Sequence, residues 1–120
     1  MLIELHRAED FEHLLEQSKL DRVLIFKHST QCPISDQVYE DFMHFAEEQA
    51  PTLHCGVILV IETRRLSNNI AERLGVKHHS PQAIMIRDGR AIWHASHWSI
   101  TADSLSQALR TNGEPAHQRD

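Results

Sequence analysis

Two short, uninterrupted apolar runs limit what this chain can become: Val23-Leu24-Ile25-Phe26 and Gly56-Val57-Ile58-Leu59-Val60-Ile61. Each is too brief for a helix and carries β-branched residues, so each reads as a strand. A strand without polar alternation is one covered on both faces, and the second run is expected to be the central strand. Between the two, Ile34, Val38, Phe42 and Phe45 recur at helical intervals. That spacing predicts a helix from Pro33 to Gln49, with Pro51 marking its end. Strand, helix and second strand form the unit of a parallel sheet, whose crossovers are right-handed.

The flanking segments extend the pattern. Leu2-Ile3-Glu4-Leu5 reads as a short strand, and Phe11, Leu14 and Leu15 give an apolar stripe to a charged helix from Ala8 to about Ser18. Ser67 is placed to cap the next helix, with Leu66 and Ala71 as a hydrophobic staple, Ile70 and Leu74 inside, and Gly75 at the end. Ala83–Ile86, Asp88-Gly89 and Ala91–Trp93 form a hairpin signature, since Asp-Gly favours a type I′ turn. Thr101 can cap a last helix carrying Leu105, Ala108 and Leu109. The order is β-α-β-α-β-α-β-β-α: an α/β fold with a central mixed sheet and helices on both faces. A chain of 120 residues makes one domain, 1–112, followed by a polar tail, 113–120.

A net charge of −5 argues against nucleic acid or an anionic membrane as partner. No apolar run reaches membrane-spanning length, and the start Met1-Leu2-Ile3-Glu4 lacks the features of a signal peptide. Two cysteines fit a reducing compartment better than a disulfide framework, so a cytoplasmic location is expected.

The chemistry is concentrated in Lys27-His28-Ser29-Thr30-Gln31-Cys32-Pro33-Ile34-Ser35, which joins the first strand to the long helix. Pro33 suits the first helical position, where a missing N–H costs nothing. Cys32 then falls at or near the N-cap, before unpaired backbone N–H groups and the positive end of the helix dipole. That setting favours thiolate over thiol and makes Cys32 the candidate nucleophile. It lies at the carboxyl end of a strand, where open α/β sheets hold their sites. Ser35, one turn on, can donate a hydrogen bond to a thiolate but cannot close a disulfide with it. The plainer alternative for any lone cysteine is a small buried hydrophobe. That is the expectation for Cys55, which begins a strand at the opposite end of the sheet from Cys32.

Ten histidines are many for this length. Most are expected to be surface or framework residues, His28 being the best placed to approach Cys32. Paired Cys-x-x-Cys or His-x₃-His spacing is lacking, so neither a metal site nor a bound cofactor is expected. Lys27 either adds positive potential or points to solvent. Trp93 and Trp98 read as packing residues, and Asp36 complements the helix dipole while opposing a thiolate.

The element order, with Cys-x-x-Ser after the second strand and a proline before the hairpin, resembles a thioredoxin fold. More narrowly, His28–Ser35, Gly75-Val76-Lys77-His78-His79-Ser80-Pro81-Gln82 and Trp93-His94-Ala95-Ser96-His97-Trp98 with Ile100-Thr101 are similar to the YtxJ-like, or monothiol bacilliredoxin, family of the bacillithiol system. The resemblance runs from about Leu24 to Thr101. It implies a thiol–disulfide oxidoreductase that takes bacillithiol off protein cysteines through a mixed disulfide at Cys32, with bacillithiol as co-substrate and bacillithiolated proteins as clients. It further implies a cis peptide at Pro81, with the Ser80 backbone offered to an extended ligand. His28 or a histidine of the Trp93–Trp98 segment, such as His97, is placed to meet the ligand's carboxylates. The buried acid of thioredoxin is replaced by Phe26. Two other functions fit a single Cys-x-x-Ser: an iron–sulfur carrier like the monothiol glutaredoxins, and a non-catalytic adaptor in which Cys32 is incidental.

Overall fold

Periodicity becomes layers in the computed structural model, which describes residues 2–49 and 53–110. The chain runs β1 (Leu2–Glu4), α1 (Ala8–Gln17), β2 (Val23–His28), α2 (Pro33–Gln49), β3 (His54–Leu59), α3 (Arg64–Leu74), β4 (Gln82–Arg87), β5 (Arg90–Ser96), a 3₁₀ turn (His97–Ser99) and α4 (Ala102–Leu109). The five strands form one sheet in the order β1-β3-β2-β4-β5. β1 and β2 pair with β3 in parallel, β4 returns antiparallel beside β2, and β5 closes the hairpin. The middle strand is therefore β2, not β3 as its apolar run suggested. Both are covered on two faces, and apolar content alone cannot rank two interior strands.

Alternation along β2 divides the core. Leu24 and Phe26 face α2 and α4, packing with Val38, Phe42, Phe45, Leu105 and Ala108. Val23 and Ile25 face α1 and α3, packing with Phe11, Leu14, Leu15, Leu66 and Ile70. Gly56 lets α1 come close, because a Cβ there would stand 2.6 Å from the Leu14 side chain. At the hairpin, Asp88 and Gly89 hold φ of 54° and 73°, as a type I′ turn requires.

Thr101 caps α4 as expected, its Oγ1 accepting from the Ser104 N–H at 3.0 Å. Ser67 does not cap α3. The helix starts three residues earlier, at Arg64, so Ser67 lies within it and donates its N–H to Thr63 O at 3.0 Å. Leu66 already faces the core, which draws the preceding turn into the helix and dissolves the staple with Ala71. The helix end expected at Pro51 and the tail 113–120 lie outside the described residues.

Phe42 is fully buried and stacks on Phe26 with ring centroids 4.8 Å apart. Phe42→Ala is expected to remove about 3–5 kcal/mol, a large share of the ~5–15 kcal/mol that holds a domain folded. A urea midpoint within error of wild type would show this packing to be unimportant.

Candidate active site

The turn after β2 sets the thiol. The Cys32 N–H donates to Ser29 O at 3.2 Å, closing the turn, and the Cys32 carbonyl accepts from the Asp36 N–H at 3.2 Å, the opening bond of α2. Cys32 is thus the residue that enters the helix, Pro33 follows as its exposed first residue, and the thiol is half-buried and free.

Ser35 is fully buried, and its Oγ has two partners. It accepts from the Ser29 N–H at 3.0 Å and lies 2.8 Å from His28 Nδ1. His28 Nε2 faces Asp36 Oδ1 at 3.8 Å. A carboxylate on that side favours a neutral ring protonated at Nε2, leaving Nδ1 to accept the Ser35 hydroxyl proton. The hydroxyl is therefore turned towards His28, and each ring nitrogen of His28 has a polar neighbour other than the thiol. Tyr39 stacks on the imidazole at 4.3 Å between centroids. Together these contacts rivet the first turn of α2 to the end of β2 and fix where Cys32 stands. Asp36, His28 and Ser35 line up like a hydrolase relay, but a buried serine that already accepts a backbone N–H cannot reach a substrate carbonyl.

The second wall comes from the start of β4. Lys27 pairs with Gln82 across β2 and β4, so Pro81 stands one step beyond, level with His28 and at the sheet end that carries Cys32. The Ser80–Pro81 peptide is cis. The Pro81 carbonyl accepts from the His97 N–H at 3.0 Å, tying the 3₁₀ turn to this loop, and His97 holds a left-handed φ of 54° to do so. The His97 side chain is exposed, and its ring meets His79 edge-on at 5.8 Å. Trp98 beside it is 60 % exposed, whereas Trp93 is buried in the core. Of the packing role read for both tryptophans, only Trp93 keeps it.

For Lys27 the sequence allows added positive potential or a solvent-facing side chain. It does not point to solvent: it is fully buried on the α3 face, where its Nζ donates to Ser67 O at 3.2 Å and lies 3.0 Å from His78 Nδ1. Burial brings its pKa down to about 8. Alternation held the clue, since Val23, Ile25 and Lys27 share a face, but nothing local says that a lysine there finds acceptors on α3 and the loop after it.

The sequence profile described as monothiol bacilliredoxin BrxC matches residues 3–105. The chain belongs to the monothiol bacilliredoxin family. A solved structure described as a candidate oxidoreductase with a thioredoxin fold is 36% identical, at a TM-score of 0.80 over 89% of this chain and 92% of that one. Thioredoxin from Fasciola hepatica shares the fold at 18% identity and a TM-score of 0.72, over 93% of this chain and all of that one. Schistosoma mansoni thioredoxin does so at 20% and 0.70, over 91% and 95%. This bacilliredoxin is a thioredoxin-fold thiol–disulfide oxidoreductase.

The bacilliredoxin's other cysteine sits elsewhere. Cys55 is buried, and desolvation pushes its thiol up to about 12. It pairs in register with Leu24, four residues before the end of β2, which places it on the order of 13 Å down the sheet from His28 at ~3.3 Å per residue. A disulfide needs its Cα atoms within about 7 Å. Among the described residues no group of three His, Cys, Asp or Glu side chains could hold a metal, and no helix is long and apolar enough to cross a membrane.

Burial lowers the pKa of His28 from 6.5, with Asp36 and Glu62 opposing it, and burial leads the same shift at His78 and His79. A histidine so shifted binds protons more readily when unfolded. Its contribution to stability is therefore full above about pH 6.5 and lost as pH falls through the lowered value. Urea unfolding is expected to show lower stability at pH 5.5 than at 7.5. His28→Asn, which keeps an acceptor for Ser35, should flatten part of that slope; an unchanged slope would mean that His28 takes up its proton equally in both states.

Proposed function

We propose that Cys32 is the nucleophile with which this bacilliredoxin removes bacillithiol from bacillithiolated proteins. One observation carries the reading: Cys32 stands half-buried at the opening of α2, while the place one turn on holds a serine locked to His28 and Ser29. The motif has one sulfur, so the mixed disulfide formed by exchange has no internal route to resolution. The Cys32 thiolate attacks the bacillithiol sulfur of the modified client. The client S–S bond breaks, the client thiolate leaves and is protonated from solvent, and bacillithiol stays on Cys32 as a disulfide. A second bacillithiol thiolate then attacks the small thiol's sulfur, forming bacillithiol disulfide and returning Cys32.

Pro33 starts the helix that presents Cys32, and His28 with Ser35 positions that turn. The backbone of Ser80 before cis-Pro81 is the strand-like edge against which the ligand lies, and His97 lines its rim. Two unpaired cysteines support a reducing, cytoplasmic setting.

Intact mass after exposure to oxidised bacillithiol tests the assignment. One adduct is expected, absent in Cys32→Ser, with less modification by oxidised glutathione. An adduct retained in Cys32→Ser would place the chemistry elsewhere.

A further inference from the structure

A buried cation needs a counter-charge, and among the described residues none of the ion pairs formed involves Lys27. Its ammonium is compensated by a carbonyl and an imidazole alone, a costly arrangement for a charge removed from water. An ammonium has only donors, so His78 Nδ1 must accept, and the His78 proton is held on Nε2. Ser67 Oγ also lies 3.3 Å from the same Nδ1. His78 is half-buried, three residues before cis-Pro81, and its loop is pinned from below by Gln82 Nε2 donating to Lys77 O at 2.9 Å. Gln82 pairs directly with Lys27, and its own Oε1 is buried without a hydrogen-bond partner among the described residues.

Charge sorts the same way along the chain. In a protein of net charge −5, the stretch from Gly75 to Ile100 holds one acid, Asp88, and that lies in the hairpin turn at the far end of β4 from Pro81. The end near Pro81 carries Lys77, His78, His79 and His97 over buried Lys27. Asp36 and Glu62 are the two acids whose charges His28 feels.

We propose that His78, polarised by Lys27 beneath it, is the recognition point for a carboxylate of the low-molecular-weight disulfide that reacts at Cys32. His78 donates Nε2–H to the carboxylate, whose charge completes Lys27 through the ring. His78 is the contact, and Lys27 is a positioning residue acting only through it. The inference deepens the reading of Cys32 given above and rests on it.

The test uses two disulfides of similar size, the anionic 3,3′-dithiodipropionate and the neutral bis(2-hydroxyethyl) disulfide, with oxidised bacillithiol as a third probe. Rates of Cys32 adduct formation are followed by mass in wild type, Lys27→Met, His78→Leu and the double variant. The ratio of anionic to neutral rate is expected to fall about tenfold in each single variant, the worth of ~1.4 kcal/mol, with bacillithiol disulfide following the anionic probe. The double variant is expected to fall no further than His78→Leu, because the two residues act in series. An unchanged ratio overturns the proposal, as do equal losses on both probes, which mean general damage, additive losses in the double variant, or bacillithiol following the neutral probe. Failure of wild type to form an adduct at Cys32 with any probe would instead overturn the reading of the site itself.

Discussion

Cys32→Ser is expected to reduce release of bacillithiol from a modified client to the uncatalysed level, while Cys55→Ala releases it at the wild-type rate. A serine hydroxyl is no nucleophile towards a disulfide near neutral pH, and no other sulfur can substitute for Cys32. Cys55 is about one-hundredth exposed, with its thiol pushed up to about 12. It is neither accessible nor ionised under working conditions. Free bacillithiol liberated over time, with circular dichroism to verify each fold, is the measurement. Activity persisting in Cys32→Ser, or vanishing in a folded Cys55→Ala, would overturn the assignment.

Ser35→Cys is expected to change the class of the protein from monothiol to dithiol. Side chains three apart on a helix have Cβ atoms about 5–6 Å apart, near enough for a small adjustment to meet disulfide geometry. The reduced variant would show three free thiols, adding the new one to Cys32 and Cys55, and oxidation should leave Cys55 alone. Its adduct with bacillithiol should also be short-lived, since the new thiol attacks Cys32 from within. Three free thiols after oxidation would mean that the new side chain keeps the inward, His28-facing position of the Ser35 hydroxyl. The variant is expected to lose some stability as well, because a thiol is a weaker partner than a hydroxyl for the Ser29 N–H and His28 Nδ1.

The parts of the site legible in the sequence are those set by local physics. A proline one residue after Cys32 announces a helix start, and α2 spans Pro33–Gln49 as the spacing of Ile34, Val38, Phe42 and Phe45 required. Asp88-Gly89 dictated its turn because both residues tolerate positive φ. Cys55 was placed at the remote end by direction alone, since β2 and β3 run parallel. The cis bond before Pro81 was not local knowledge. It followed only from the resemblance to thioredoxin-fold proteins, because an isolated X-Pro peptide prefers trans.

Composition and periodicity determined the α/β class, the two-faced sheet and the position of the thiol, because each depends on residues within one or two turns of each other. Tertiary structure alone decided which partners the polar groups chose. His28 reads as a neighbour of Cys32, yet its ring stacks on Tyr39 and binds Ser35, because a strand end and a helix turn meet only after α2 docks. Lys27 reads as either a source of positive potential or a solvent-facing residue, yet it is sealed beneath α3 with Ser67 and His78 as acceptors, contacts that span 40 and 51 residues of chain. Burial of a polar group is fixed by what the rest of the chain lays over it, which is a property of the packed layers and not of the strand that carries it.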